Sequence, residues 1–264
     1  MGLAIDTIVG AATNPGATIT AVTMNSGDSA TVRNAAASAS VYLDEVYRQG
    51  ATEGYVRVRS PLLHDMVQGI RFTPSETPTR RLLPPWVDQL LRPQDPLTIE
   101  VSGGSAEVDA VAANLWYSDL GGASARLHTL GDIQGIIKTI KPLEVDWTTS
   151  GTAANWVDTV ITTTENLLHA NTDYAVLGYI TDTATLVVGI KGIDTSNLRI
   201  CGPGVTASEV TQDWFIRQSQ WTGRPYIPVF NSANQGSVFV SGAAVATSAA
   251  IKTSLILAEL AHNL

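Results

Sequence analysis

The chain has 264 residues, enough for one large domain or two of modest size. Apolar residues make up 44% and charged residues 15%, so a packed core is expected and a long disordered tract is not. Twenty-four acids against sixteen basic residues give −8, spread evenly as −4 for residues 1–140 and −4 for 141–264, which argues against a basic nucleic-acid-coating surface.

Met1–Gly16 mixes small polar and apolar residues and lacks strong structure signals. It lacks the basic flank of a secretory signal, and Asp6 breaks a myristoylation pattern. Ala35–Gln49 reads equally as helix, strand or loop. Tyr55–Arg59 alternates as a strand, with Arg57 and Arg59 on one face. Leu83–Leu91 is again open between helix, strand and loop. Leu97–Val101 is a strand that meets a turn at Ser102-Gly103-Gly104. Ile133–Leu143 is the expected join between two halves. Asn155–Leu168 is a third open segment. Tyr174–Ile180, one of the longest apolar stretches, is far too short to span a bilayer. Thr183–Ile190, Ser237–Val240 and Lys252–Leu257 are strands, and Gly202-Pro203-Gly204 reads as a tight turn. Short strands with frequent turn residues indicate an all-β sandwich or barrel, and the absence of a leader points to a reducing cytoplasm.

Four landmarks recur in order at offsets of 139 to 142. Val101-Ser102-Gly103-Gly104 returns as Val240-Ser241-Gly242-Ala243, and Leu115–Leu120 as Leu255–Leu260. Pro85-Trp86 matches Pro225-Tyr226, and Arg57–Pro61 matches Arg199–Pro203. The series is read as a duplication, with one all-β half over 1–140 and another over 141–264. Each half is the size of an eight-stranded jelly roll.

The residues offer little chemistry. There is no nucleophile elbow, no P-loop and no dinucleotide fingerprint. His64, His128, His169 and His262 are scattered without ligand spacing, so no metal site is expected. The lone Cys201 reads as a small buried residue. Asp44 with Glu45, and Glu107 with Asp109, read as surface acids. No catalytic residue and no cofactor are expected. The remaining signals are six tryptophans (Trp86, Trp116, Trp147, Trp156, Trp214, Trp221) and the arginines. Trp116 is placed in the core. Trp86, Arg80 and Arg81 lie in a Pro- and Thr-rich loop, and Trp221 and Arg224 flank another. These five are the candidate subunit contacts, because Trp and Arg anchor interfaces.

Two tandem all-β halves without a catalytic constellation resemble the double jelly-roll major capsid proteins of tailless, internal-membrane bacterial viruses and their relatives. The Thr/Ser/Ala-rich strands of Asp173–Pro203 and Asn231–Leu260 share that texture. The resemblance implies two eight-stranded jelly rolls with few short helices, and an N-terminal arm, Met1–Gly16, that extends under the shell and orders on assembly. It implies a homotrimer forming a pseudo-hexagonal capsomer of an icosahedral shell, made in the host cytoplasm and resident in the virion. Its partners would be neighbouring capsomers, minor or penton proteins and an internal membrane, with no direct nucleic-acid contact. A decoration, spike or tail protein, or a carbohydrate-binding sandwich, is the alternative.

Overall fold

A computed structural model describes residues 2–35, 39–61, 65–72, 79–82, 90–122, 124–162, 168–181, 185–204 and 211–264. The N-terminal half is built from β1 (Ala4–Thr13), β2 (Thr20–Ala21), β3 (Thr23–Met24), β4 (Val41–Gln49) and β5 (Val56–Arg59). It continues with β6 (Ile70–Phe72), β7 (Thr79–Leu82), β8 (Leu90–Leu91), β9 (Thr98–Val101) and β10 (Val108–Tyr117). The C-terminal half holds β11 (Leu127–His128), β12 (Ile137–Thr148), β13 (Val157–Val160), β14 (Asp173–Thr181) and β15 (Val187–Gly192). Then come β16 (Ile200–Pro203), β17 (Ile227–Asn231), β18 (Val238–Ala243) and β19 (Ala250–Leu260). The α-helices are short: α1 (Asp65–Gln68), α2 (Leu130–Ile133) and α3 (Trp214–Thr222).

The strands form four antiparallel sheets. Sheet 1 runs β3-β1-β10-β4-β7, with β8 also on β4, and sheet 2 runs β2-β9-β5-β6. Sheet 3 runs β13-β18-β15-β16, and sheet 4 runs β11-β17-β14-β19-β12. Set β3 and β11 aside, and take β7 and β8 as one strand position. Each half then has eight strands in chain order. In both halves the first, eighth, third and sixth share one sheet, and the second, seventh, fourth and fifth share the other. That is jelly-roll order, twice, and the chain is an all-β double jelly roll.

A shared irregularity marks the duplication. Opposite the eighth strand, the third strand of each half carries one extra residue: Asp44 in β4 against β10, and Leu177 in β14 against β19. A bulge of this kind adds twist and re-aims side chains. Two of the sequence landmarks fall on equivalent strands. Val101 and Val240 lie on the seventh strands, and Leu115 and Leu255 on the eighth, where the bulges set Leu115 level with Leu257 instead. The Arg57/Arg199 match does not hold, because Arg57 is on the fourth strand of its half and Arg199 immediately precedes the fifth of its own. Of the Pro85-Trp86 match, the first member lies outside the described residues.

Several expectations are corrected. Met1–Gly16 is not an arm: Ala4–Thr13 is a strand paired with β10 over ten positions, buried from Ala4 to Gly10. Of the open segment Ala35–Gln49, residues 41–49 are strand β4. The expected join Ile133–Leu143 already lies inside the C-terminal half, since the chain enters sheet 4 at β11, which pairs with β17. The 140/141 division falls within β12. Gly202-Pro203 is strand, not turn. A Cβ on Gly202 would lie 2.5 Å from the Trp214 ring and one on Gly204 1.5 Å from the Thr185 carbonyl oxygen, so these glycines admit close neighbours.

Each jelly roll has its own core. In the first, Ile8, Val111, Ala113 and Leu115 of sheet 1 face Val56, Val58, Ile99 and Val101 of sheet 2. In the second, Val145, Trp147, Val176, Tyr179 and Leu255 of sheet 4 face Val188, Ile190, Ile200 and Val240 of sheet 3. Near the end of β19 the buried Glu259 meets Lys141 Nζ at 2.8 Å, His169 Nδ1 at 2.9 Å and Lys138 Nζ at 3.2 Å. Lys141 first, with His169 and Lys138, outweighs burial and holds the carboxyl down to about 2.

Two measurements check this account. Deleting residues 1–13 removes a strand flanked on both sides, so the truncated chain loses its cooperative thermal transition by circular dichroism, where loss of an arm would leave it unchanged. Glu259 has a depressed folded pKa, so its contribution is complete above its ordinary 4.5 and is lost as pH falls toward 2. Urea midpoints of the wild type and Glu259→Gln therefore differ clearly at pH 6 and converge as pH falls below 4.

Candidate functional site

The feature that sets this chain apart from two beads on a string is the seam between its halves. Along β1, Ala4, Ile8 and Ala12 point into the first core, while Ile5, Thr7 and Val9 point the other way. The same split runs along β10, where Val111, Ala113, Leu115 and Tyr117 face inward. Ala110, Ala112, Asn114 and Trp116 face outward with Glu45 and Tyr47 of β4. That outer face does not meet water. Val9, Tyr47, Ala110 and Ala112 pack against Leu186, Val187, Cys201 and Ala243 of the second half. The four sheets are thus stacked in the order 2, 1, 3, 4.

Polar atoms inside the seam find partners across it. The Thr7 amide donates to the Arg199 carbonyl at 2.9 Å. Thr7 Oγ1 accepts from the Cys201 amide at 3.1 Å and donates to Asn114 Oδ1 at 2.8 Å. Asn114 Nδ2 reaches the Cys201 carbonyl at 2.9 Å. Burial pushes the Tyr47 and Tyr226 phenols well above their ordinary range, so both stay neutral, and Tyr47 donates to the Glu45 carboxylate. Burial likewise pushes the Cys201 thiol up, which leaves it inert as a nucleophile and matches its reading as a small buried residue.

Two charged clusters flank this centre. At one, Arg224 Nη1 bonds Asp44 Oδ1 at 2.6 Å, and its guanidinium lies 3.7 Å from the Tyr42 ring centroid and 5.2 Å from that of Trp116. Trp116 Nε1 donates to the Pro225 carbonyl at 3.2 Å. The bulge supplies Asp44, which shows what that extra residue does. At the other, Asp28 Oδ2 accepts from the Val9 amide at 2.8 Å and from Trp156 Nε1 at 2.7 Å. Arg199 lies 4.6 Å over the Trp156 ring and bonds Asp158 at 2.9 Å, beside Lys191 at 2.8 Å from the same carboxylate. In both clusters an acid of the first half lies near an arginine of the second, although Arg199 makes its direct bond to Asp158 of its own half.

The surface-acid expectation fails for Asp44, Glu45 and Asp109, all buried. Asp109 and Arg48 form a pair at 2.5 Å beneath Gly50 and Gly103, and Glu107 caps the amides of Ala51 and Thr52 at 2.9 Å. Burial raises the Asp109 carboxyl to about 7 against the pull of Arg48.

The five candidate contact residues separate. Trp86 lies outside the described residues. Arg80 and Arg81 are on strand β7 rather than in a loop, opposite Tyr47 and Val46. Trp221 is in α3, not a loop, and is 48% exposed. Arg224 is engaged within the chain. Trp116 is buried, but in the seam as well as the second core.

The outermost faces of the stack are of a different kind. On sheet 2, Arg57 and Arg59 share Glu100 at 2.6 and 2.7 Å, and the exposed Arg71 lies 5.3 Å over the Tyr55 ring. On sheet 4, β12 alternates buried Leu143, Val145 and Trp147 with exposed Pro142, Glu144, Asp146 and Thr148, and Ile140 is 58% exposed. Sequence reasoning put Arg57 and Arg59 on one face but gave Glu144 and Asp146 no role. The alternation of β12 was the signal that would have placed them.

Among the described residues no group of three or more His, Cys, Asp or Glu side chains could hold a metal ion. No helix among them is long and apolar enough to cross a membrane. No family model and no curated protein matches the chain. Among solved structures, it is similar to the major capsid protein P2 from bacteriophage PM2, at 7% identity and a TM-score of 0.21, over 98% of this chain and 97% of that one. It is also similar to the STIV MCP, at 9% identity and a TM-score of 0.21, with the same coverage. At that TM-score neither likeness carries an argument, and the jelly-roll assignment rests on strand order.

Arg224→Met leaves the Asp44 carboxylate in the seam without its guanidinium. It should lower stability by about 3 kcal/mol, and Asp44→Asn with Arg224→Met should recover part of the loss, read from urea midpoints.

Proposed function

We propose that the chain is a viral structural protein, the major capsid protein of an icosahedral shell, acting as a homotrimer. The observation that supports this reading is the head-to-tail stacking of two jelly rolls of identical strand order in one chain. Three such chains bring six equivalent sandwiches together, which makes a pseudo-hexagonal block able to tile a facet. Each sandwich buries its own core, so its fold does not depend on what its outer surface meets. The seam is heterologous, joining two different surfaces, and a heterologous contact that repeats with closure makes a ring.

On this reading the chain has no catalytic role, and its partners are other copies of itself, minor or penton proteins and an internal membrane where the virion has one. The acidic balance argues against direct contact with the genome. The protein resides in the virion after synthesis in the host cytoplasm.

Size exclusion with light scattering tests the reading. A species near three times 27.9 kDa, or larger particles that electron microscopy resolves as closed shells, is expected. A strict monomer up to millimolar concentration overturns it.

A further inference from the structure

The seam inside the chain is a template for what the two outermost faces do. The halves can be aligned by register. The repeated Val-Ser-Gly is taken to set Val101 level with Val240 on the seventh strands, each facing its own core. Arg57 pairs with Glu100, one residue before Val101, and Lys191 pairs with Phe239, one residue before Val240, so Arg57 and Lys191 are counterparts. Arg71 stands opposite Arg57. Arg199, one step beyond the Ile190–Ile200 pair, continues the register opposite Lys191. Arg71 is therefore the first half's counterpart of the seam arginine Arg199. On the other side, the bulges align Asn114 with Ile256. Thr7 pairs with Asn114 and Pro142 with Ile256, so Thr7 corresponds to Pro142, and Val9 to Glu144 two residues on.

In the seam, the carboxylate of Asp28 sits on the Val9 amide and faces Arg199 through Trp156. On the open face of sheet 4, the place of Val9 is taken by a carboxylate, Glu144, whose side chain is 67% exposed. On the outer face of sheet 2, where Arg57 Nη1 donates to the Val67 carbonyl of α1 at 3.3 Å, the place of Arg199 is taken by the exposed Arg71. Charge agrees with this match. The β5–β6–β9 face carries Arg57, Arg59 and Arg71 against Glu100, and the β12–β19 face carries Glu144 and Asp146 against Lys252, the exposed Lys138 of β12 being paired with the buried Glu259. Ile140, at the place of Ile5, supplies apolar surface. One element of the seam cannot recur: Pro142 has no amide hydrogen to donate where Thr7 donates to Arg199.

We propose that the open β12–β19 face binds the open β5–β6 face of a second copy, head to tail, with Glu144 set against the second copy's Arg71. The pairing deepens the capsid reading and rests on the self-association it requires. It names the surface through which that association runs.

Sedimentation velocity over a concentration series tests it on the full chain, with wild type, Glu144→Arg, Arg71→Glu and the double variant. Both residues are exposed, so near-ultraviolet circular dichroism should show all four proteins folded alike. Each single reversal is expected to raise the half-assembly concentration at least about tenfold, and the double to return within roughly threefold of wild type. Wild-type assembly that neither reversal disturbs overturns the pairing and leaves the capsid reading standing. Single variants that weaken without rescue in the double overturn the Glu144–Arg71 match. A wild type that stays monomeric throughout overturns the pairing and the capsid reading together.

Discussion

The strands β1, β10 and β4 at the centre of sheet 1 are buried on both faces, and much of the chain follows from that. A sheet at the surface of a sandwich needs one apolar face, whereas a sheet between two sandwiches needs two. Its strands β1 and β10, AIDTIVGAAT and VDAVAANLWY, accordingly carry little alternation and many small residues. Alanine at 110 and 112 lets the second half approach closely, and the few polar groups that remain must be answered from the other side. Thr7 and Asn114 do this through the backbone of Arg199 and Cys201. A buried polar group without such a partner would cost about 1–3 kcal/mol, so the network also fixes how the halves sit.

Comparing the halves shows which features belong to the jelly roll and which to its neighbours. Strand order and the bulge opposite the eighth strand occur in both. The bulge residues have diverged: Leu177 joins the second core, while Asp44 anchors Arg224 across the seam. The outer residues of the first strand have diverged as well. Ile5, Thr7 and Val9 lie against the second half, whereas Ile140, Pro142 and Glu144 face outward.

The same distinction explains what could be read from sequence. Strands β5, β9, β18 and β19 were legible because they alternate or are rich in β-branched residues beside glycine turns. Strand β1 was mistaken for an arm because two buried faces erase the period on which the reading relies. Asp44 and Glu45 looked like surface acids for a related reason, since a charge that is buried because it is paired carries no mark of its partner, here 180 residues away for Asp44. The helix α3 escaped notice though its buried positions, Trp214, Phe215, Gln218 and Ser219, have helical spacing and Gly223 ends it at φ 67°. The match of Arg57 with Arg199 paired different strands, and counting the register from Val101 and Val240 puts Arg71, not Arg57, level with Arg199.

A covalent link between the halves alters what each contact must achieve. The seam forms once, inside a chain, at an effective concentration set by the short connection from Tyr117 to Leu127. It never has to stay soluble while open, so it can be alanine-rich and carry buried polar groups that demand close geometry. A face that must meet another molecule is exposed before it is covered, and a bare patch of Ile, Val and Ala there would invite aggregation. On the proposed pairing, carboxylates at Glu144 and Asp146, where the seam has Val9 and Ala11, keep that face wet until a basic surface arrives. The proposed pairing gives the difference between the two first strands a physical reason: one outer face is sealed for good inside the chain, and its counterpart stays charged so that it can bind reversibly.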